Sequence, residues 1–442
     1  MNLRKSPRAI VGLIAPLQVV VLFISVFFYR NYKFESFNNQ LMKDSLYSFS
    51  YSYVMEHISE NIISVSNKKK ISNDIQIGLK QCRNDILENK LPLKIYKEFV
   101  LPPIVDKGDE FDNWREACIK EFNFVDKDES IYIICDTINR YLARDFTFTA
   151  KGNPSAKSWK DYRNNPYGDC YDMAKLVLYP LRALGIPASI DFVISWGNSN
   201  GRHSWNVIYY QGKMVPFMGL ESSTKYYPFM NNRYPAKIFR KTFTVNKEYE
   251  ELKQMAGEKL KFQLFADLKF IDVTSEYFPT ENIELIVPES NNKVLFLSVF
   301  SNNHWIPIDA SKLYHNNKVL FKNMKRGMLY ALTDYRYKTL LPPFVLTDLN
   351  EKKFLEKGTE CINIRYELSK KSLEKYCNED HYFWLYYYDK DRGWIKISKA
   401  KRIGQAITFC EVPSNCLYIV KDSQEEVIGR CFIYDNNKYT EL

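Results

Sequence analysis

The sequence predicts an α+β protein: a helical N-terminal part, a mixed central unit, and a C-terminal half of short strands. Three observations carry this expectation. Residues 31–130 are largely polar, with apolar residues at helical spacing in segments such as Asn73–Glu88. A single helix followed by strand, long loop, strand, turn and strand can be read between residues 170 and 218. Beyond Asp272, short apolar runs alternate with Asn, Gly and Pro, the pattern of β-sandwiches.

The chain has 442 residues, 45% hydrophobic and 15% aromatic, enough for several packed cores. The aromatics are mostly Tyr and Phe, which favours strands. Its net charge of +10 is spread along the chain, without a run of five Lys/Arg or a nucleic-acid motif. A solvated basic surface is therefore expected, and no nucleic-acid partner. The nine cysteines include no CxxC pair, which excludes a zinc ribbon or a thioredoxin-type motif. Their odd number leaves at least one thiol unpaired within the chain. In an oxidising compartment the five C-terminal cysteines could include a disulfide. No cofactor and no metal are expected: His304, His315 and His381 stand alone in the β region.

At the N-terminus, Arg4, Lys5 and Arg8 precede an apolar stretch from Ala9 to Tyr29, about the length that crosses a bilayer as a helix. Its bulky end, Val26–Tyr29, lacks the small-x-small pattern of a cleavage site. The expectation is an uncleaved anchor at residues 1–30, basic end inside and the rest of the chain outside the cytoplasm, periplasmic or at the cell surface. A cleaved signal peptide is the alternative.

The expected organisation continues with a helical region over 31–129. It ends in the corner Phe99–Pro103 and a further helix around Trp114 and Phe122. The chemistry-bearing domain spans 130–270, with residues 223–270 read as a basic connector. β-Sandwich domains follow at 271–350 and 351–442, divided near the polar turn Asn350–Lys353. Strands are expected at Val294–Phe300, Val319–Phe321, Met328–Leu332 and Phe344–Leu346. A second set is expected at Cys361–Leu368, Tyr382–Tyr388, Trp394–Ile397, Ala406–Val412, Cys416–Val420 and Val427–Tyr434.

Within the central domain, Tyr167–Gly168–Asp169–Cys170 reads as a turn opening a helix. Gly168 permits a sharp turn, Asp169 supplies the N-cap, and Asp172 lies in the first turn. Met173, Leu176, Val177, Pro180, Leu181 and Leu184 then mark one buried face. Gly185 ends the helix and Pro187 blocks its continuation. Cys170 thus sits where a helix N-terminus stabilises a thiolate. Strand Ala188–Trp196 and loop Gly197–Arg202 lead to His203, which opens a strand carrying Trp205, Val207 and Tyr209. Gln211–Gly212 turns the chain into Met214–Met218. A lone histidine is more often structural, and a cysteine near an apolar stripe often packs. The pairing of the two in this order is what suggests a nucleophile and a base. Trp159, Asn165 and Tyr167 could line the site or simply pack.

The run GDCYDMAKLVLYPLRALGIPASIDFVISWGN, followed by RHSW, resembles the transglutaminase-like superfamily, a branch of the papain-like cysteine fold. The shared blocks are Gly168-x-Cys170 at a helix start, the exit Arg182–Pro187, and His203-x-Trp205 opening a strand. A looser resemblance links EFVLPPIVDKGDEFDNWRE and DVTSEY to bacterial surface proteins that place such a domain before β-sandwich modules. The resemblance implies a transglutaminase-like core and a thiolate that attacks an amide carbonyl, with the imidazole as general base and then acid. The acceptor would be water or an amine, and the substrate a protein, peptide or glycan in the cell envelope. The family also implies an Asp after the hairpin that orients the imidazole. Here Met218 holds that place, and Glu221 is the carboxylate that could reach back. Cys170, His203 and Glu221 are therefore the expected catalytic residues. The alternative is a domain that keeps the fold without turnover and binds protein or glycan through its β modules.

Overall fold

The computed structural model describes residues 44–58, 62, 65–221, 232–257, 261–288, 290–376, 381–435 and 438–442. The expected anchor, Ala9–Tyr29, lies outside the described residues. Among these residues, no helix is long and apolar enough to cross a membrane. The chain forms two compact units. One takes in residues up to Ile138, Asn153–Pro166 and Leu176–Ala188; the other takes in Asn139–Gly152, Tyr167–Lys175 and Ser189–Leu442.

The first unit is helical: α1 (Ser45–His57), α2 (Val65–Leu87), α3 (Leu93–Phe99), α4 (Trp114–Glu121), most of α5 (Ile131–Ala143), α6 (Trp159–Asn164) and the second half of α7 (Cys170–Ala183). Asp44 caps α1 by accepting the N–H groups of Leu46 and Tyr47 at 3.0 and 3.1 Å. The corner at Val100–Pro102 is held by Arg115 of α4. This guanidinium is 1% exposed and donates to the carbonyls of Val100, Leu101, Pro102 and Arg182, and to Asp74 Oδ2 at 2.8 Å. Burial raises the Asp74 carboxyl to about 6 against the pull of Arg115. One cation thus joins α2, α4, α7 and the corner.

The second unit opens with a short parallel pair, β1 (Thr147–Phe148) and β2 (Tyr167–Gly168). Its first sheet has the order β5-β4-β3-β6-β7, made of β3 (Ala188–Val193), β4 (His203–Tyr210), β5 (Lys213–Phe217), β6 (Phe239–Lys241) and β7 (Phe270–Asp272). Gln211 (φ 48°) and Gly212 (φ 83°) make the expected hairpin turn.

Two sequence expectations need correction here. The segment 223–270, read as a basic, mixed connector, supplies residues 239–241 to the sheet, and 270–272 at its end pair with them. Its cations misled the reading because they are buried and paired. Arg240 is 2% exposed and stands opposite Asp191 in the ladder, with both contacts at 2.8 Å. Lys237 is 4% exposed and donates to Asp309 at 2.6 Å. Secondly, α7 is buried from Asp172 to Leu184 on every side, Lys175 and Arg182 included, not along one face.

A two-layer β module follows. The sheet β10-β9-β12-β13-β14 contains β9 (Val294–Ser301), β10 (His304–Lys312), β12 (Met328–Thr333), β13 (Phe344–Leu346) and β14 (Lys352–Phe354). The ribbon of β8 (Thr280–Ile286) and β11 (Lys318–Lys325) shares its core through Ile283, Leu285, Val319 and Phe321. The Asn350 turn, expected as a domain boundary, is instead a hairpin inside this module, since Leu346 of β13 pairs with Lys352 of β14. The last sheet has the order β15-β18-β17-β16-β19-β20-β21, from β15 (Cys361–Glu367) through β16 (Tyr382–Asp389), β17 (Gly393–Ile403), β18 (Ala406–Pro413), β19 (Tyr418–Lys421) and β20 (Val427–Asp435) to β21 (Lys438–Glu441). Its end strands β15 and β21 lie side by side, so the sheet curls almost into a barrel. Alternation along β16 sends Phe383, Leu385 and Tyr387 into the curl and Tyr386 and Tyr388 onto Phe300 and Trp305 of the preceding module. Every described cysteine is a free thiol.

Replacing Arg115 by Leu strands the buried Asp74 and three corner carbonyls. The expected loss is about 3–5 kcal/mol of unfolding free energy in urea titration. Adding Asp74→Leu should restore part of it, because the unpaired charge then disappears.

Candidate active site

The site is built around the start of α7. Asp169 is its N-cap: Oδ1 accepts the N–H groups of Tyr171 at 2.9 Å and Asp172 at 3.3 Å. Asp172 reciprocates, its Oδ2 accepting the Asp169 N–H at 2.9 Å. The other Asp169 oxygen accepts from Arg202 at 2.7 Å. This ties the helix start to the residue before His203. Gly168 is required less for turn conformation than for space: a Cβ there would come within 2.3 Å of the Asp172 side chain. At the far end, the N–H of Ile186 reaches the Leu181 carbonyl at 2.9 Å and the N–H of Gly185 reaches Arg182 at 3.1 Å. With Gly185 at φ 83°, this is a Schellman cap.

Cys170 is the first residue of α7 and is half-buried. The backbone N–H of Ser204 is a hydrogen-bond donor to its sulfur. The two blocks that the sequence separates, Gly168–Cys170 and His203–Trp205, therefore meet. Burial pushes the Cys170 thiol up to about 11. The charges of Asp169 and Glu221 add to this, while the Ser204 N–H and Arg202 oppose it. The resting sulfur is a neutral thiol.

His203 opens β4 between two indoles. Its ring stacks on Trp196 (centroids 5.5 Å, planes 25° apart) and lies 5.8 Å from Trp205. Burial, with Arg233 nearby, lowers its pKa to about 4, so the imidazole is neutral at physiological pH. Among the described residues no hydrogen bond joins the ring to a carboxylate. Glu221 is exposed, and the surrounding protein raises its carboxyl above the ordinary range. Its charge is felt at Cys170, and no hydrogen bond from it to His203 is formed. Residues 222–231, which follow it, contain no Asp or Glu.

The turn in question is fixed by a residue that sequence reading missed. Asn139 of α5 donates to the Met218 carbonyl at 3.1 Å and accepts from the Leu220 N–H at 3.4 Å. Leu220 is left-handed, at φ 62°. The Met218 side chain joins the apolar cluster of Trp196, Trp205 and Val207. Also missed was a buried chain beneath the histidine. Trp205 Nε1 donates to Tyr277 Oη at 2.9 Å, Tyr277 donates to Asp191 at 2.7 Å, and Asp191 pairs with Arg240. Burial works against the Arg240 charge, but Asp191 and Glu276 outweigh it, so the guanidinium holds its proton more firmly than usual. The HSW motif marked Trp205, but nothing in the sequence linked it to Tyr277. Trp159, one of the possible lining residues, is a packing residue, 4% exposed and edge-on to Tyr179 at 5.9 Å. Among the described residues, no three His, Cys, Asp or Glu side chains gather into a metal site.

Comparison with known proteins adds the following. Residues 122–218 match the description "Transglutaminase-like superfamily". No curated protein matches the chain. Among solved structures, a protein from Cytophaga hutchinsonii described as a proposed cysteine protease is 21% identical. It covers 32% of this chain, aligns over 48% of its own length, and has a TM-score of 0.26. The chain therefore spans about half of that protein. Legionella pneumophila LapG in its calcium-bound form is 17% identical over 28% of this chain and 72% of LapG, with a TM-score of 0.23. The EGTA-treated form is 16% identical over 28% and 70%, with a TM-score of 0.22. The matched segment holds α7, the Cys170 and His203 blocks and the hairpin to Met218, and residues 122–218 carry the transglutaminase-like fold.

Proposed function

We propose that the chain is a cysteine-dependent amide hydrolase or acyltransferase acting on peptide or protein substrates outside the membrane, held there by the apolar N-terminal segment. The observation that carries this reading is Cys170 at the first position of α7, with the Ser204 N–H on its sulfur and His203 immediately before that donor. In the proposed reaction the neutral imidazole takes the thiol proton as sulfur bonds to the carbonyl carbon. The Cys170 backbone N–H, at the helix start, would share the oxyanion. Collapse breaks the C–N bond, and the imidazolium protonates the leaving amine. Water or a second amine then opens the thioester. In place of a carboxylate, Trp196 and Trp205 hold the imidazole plane.

A second reading is favoured by a specific observation. The thiol is raised, the imidazole lowered, and among the described residues no carboxylate bonds to the ring. These are features of a domain that binds without turnover.

Cys170→Ala separates the two readings. Hydrolysis of a fluorogenic peptide library, or amine incorporation into it, should fall by at least about a thousandfold in the variant if the chain is an enzyme. Equal rates in both proteins would leave the binding reading.

The pH dependence follows from the two shifts. Alkylation of Cys170 by iodoacetamide should climb steadily from neutral pH towards about 11, with no plateau below pH 6. Such a plateau would reveal a preformed thiolate–imidazolium pair and overturn the neutral-pair description.

A histidine whose pKa is depressed from about 6.5 stabilises the fold fully above that pH. The contribution is lost as pH falls towards about 4. Urea midpoints of the wild type should therefore drop more steeply than those of His203→Gln between pH 6.5 and 4.

A further inference from the structure

Away from Cys170, a cavity of about 690 Å³ opens within the β-rich unit, inside the range of roughly 300–1,000 Å³ typical of small-molecule sites. Its walls are Phe300, Trp305, Tyr388 and Trp394, and its polar rim includes Lys261, His304 and Arg336. None of its lining residues is acidic. Among the described residues, no carboxylate pairs with Lys261, His304 or Arg336. The Arg336 guanidinium only covers the Tyr335 ring, 5.0 Å from its centroid.

The turn that presents Arg336 is rigidly made. Asp334 Oδ1 accepts the N–H groups of Arg336 at 2.8 Å and Lys338 at 3.0 Å, and the N–H of Tyr337 bonds to the Asp334 carbonyl at 3.0 Å. Tyr337 is left-handed at φ 64°, a conformation that a bulky residue rarely adopts. It is held there as its hydroxyl donates to the Lys261 carbonyl at 3.2 Å. Strain of this kind gathers at ligand-binding turns.

In the wall, the Trp305 indole is 6% exposed, and its N–H is turned towards the Tyr388 hydroxyl oxygen. The Tyr388 ring stands edge-on beside it, at 5.6 Å. Thr339 donates its own proton to the Lys390 carbonyl at 2.7 Å, so at 3.2 Å the Tyr388 hydroxyl is the donor to Thr339.

Aromatic walls, the cations Arg336 and Lys261 at the rim and no lining carboxylate describe a complement. We propose that this cavity binds a small organic acid with a one- or two-ring body, the acid group against Arg336 and Lys261 and the rings among Phe300, Trp305 and Trp394.

The test is calorimetric titration of the full chain with three probes of one shape and different charge: 1-naphthaleneacetate, 1-naphthaleneacetamide and 1-(1-naphthyl)ethylamine. The acid should bind about tenfold more tightly than the amide, and the amine most weakly, with the preference shrinking as salt rises. Arg336→Gln, at an exposed position, should narrow the gap between acid and amide, and Arg336→Gln/Lys261→Gln should bring the two to equal affinity. Cys170→Ala should leave all three unchanged. Equal binding of the probes to the wild type, a preference that survives in the Arg336→Gln/Lys261→Gln double variant, or no binding of the acid at millimolar concentration to the folded chain overturns the proposal.

Discussion

The placement of Cys170 rests on one carboxylate. Asp169 closes the first turn of α7 through Oδ1 and holds Arg202 through Oδ2. A single side chain thus fixes the helix start and the last loop residue before His203. The reciprocal bond from Asp172 and the missing Cβ at Gly168 let the two aspartates stand face to face without a clash. Both are acceptors of backbone N–H groups, as expected where helix N-termini leave donors unsatisfied. The same choice has an electrostatic consequence, because the Asp169 charge, together with burial, favours the protonated thiol. The residue that positions the sulfur therefore also discourages the thiolate, while Arg202 and the Ser204 N–H partly compensate.

Elsewhere the fold sets buried, paired cations within its apolar interior. Arg115 gathers the corner and three helices of the first unit. Lys237 and Arg240 do comparable work in the second, through Asp309 and Asp191. Each needs its partners, since an ion taken out of water without hydrogen bonds costs several kcal/mol. Arg240 also anchors a chain through Asp191, Tyr277 and Trp205 that ends against the His203 ring. The orientation of the imidazole is thus set by aromatic contact and a remote ion pair, where the family pattern would use a carboxylate.

Much of the architecture was legible because it follows local rules. The N-cap at Asp169, the stop at Gly185, the Gln211–Gly212 hairpin and the strands at Val294, Met328 and Phe344 are set by turn chemistry and periodicity. The misreadings share a cause. Residues 239–241 read as connector, and α7 as one-faced, because Lys175, Arg182, Lys237 and Arg240 are charged residue types that ordinarily face water. Burial with a partner gives the same letters a core role, and the partners, such as Asp309 for Lys237, are distant in sequence. The Asn350 turn misled for the opposite reason: a hairpin and a boundary use the same polar residues.

For the site, the sequence by itself determined that Cys170 stands at a helix start, that His203 opens a strand, their order and the absence of an acid at Met218, because these are matters of identity and spacing. Only the tertiary structure decided what surrounds them. It brought the Ser204 N–H to the sulfur, set His203 between two indoles, left Glu221 acting on Cys170, and made both members of the pair neutral. The physical reason is desolvation. The protonation of a thiol and an imidazole depends on how much water the whole fold removes from them and on charges brought near by distant segments, which spacing along the chain does not encode.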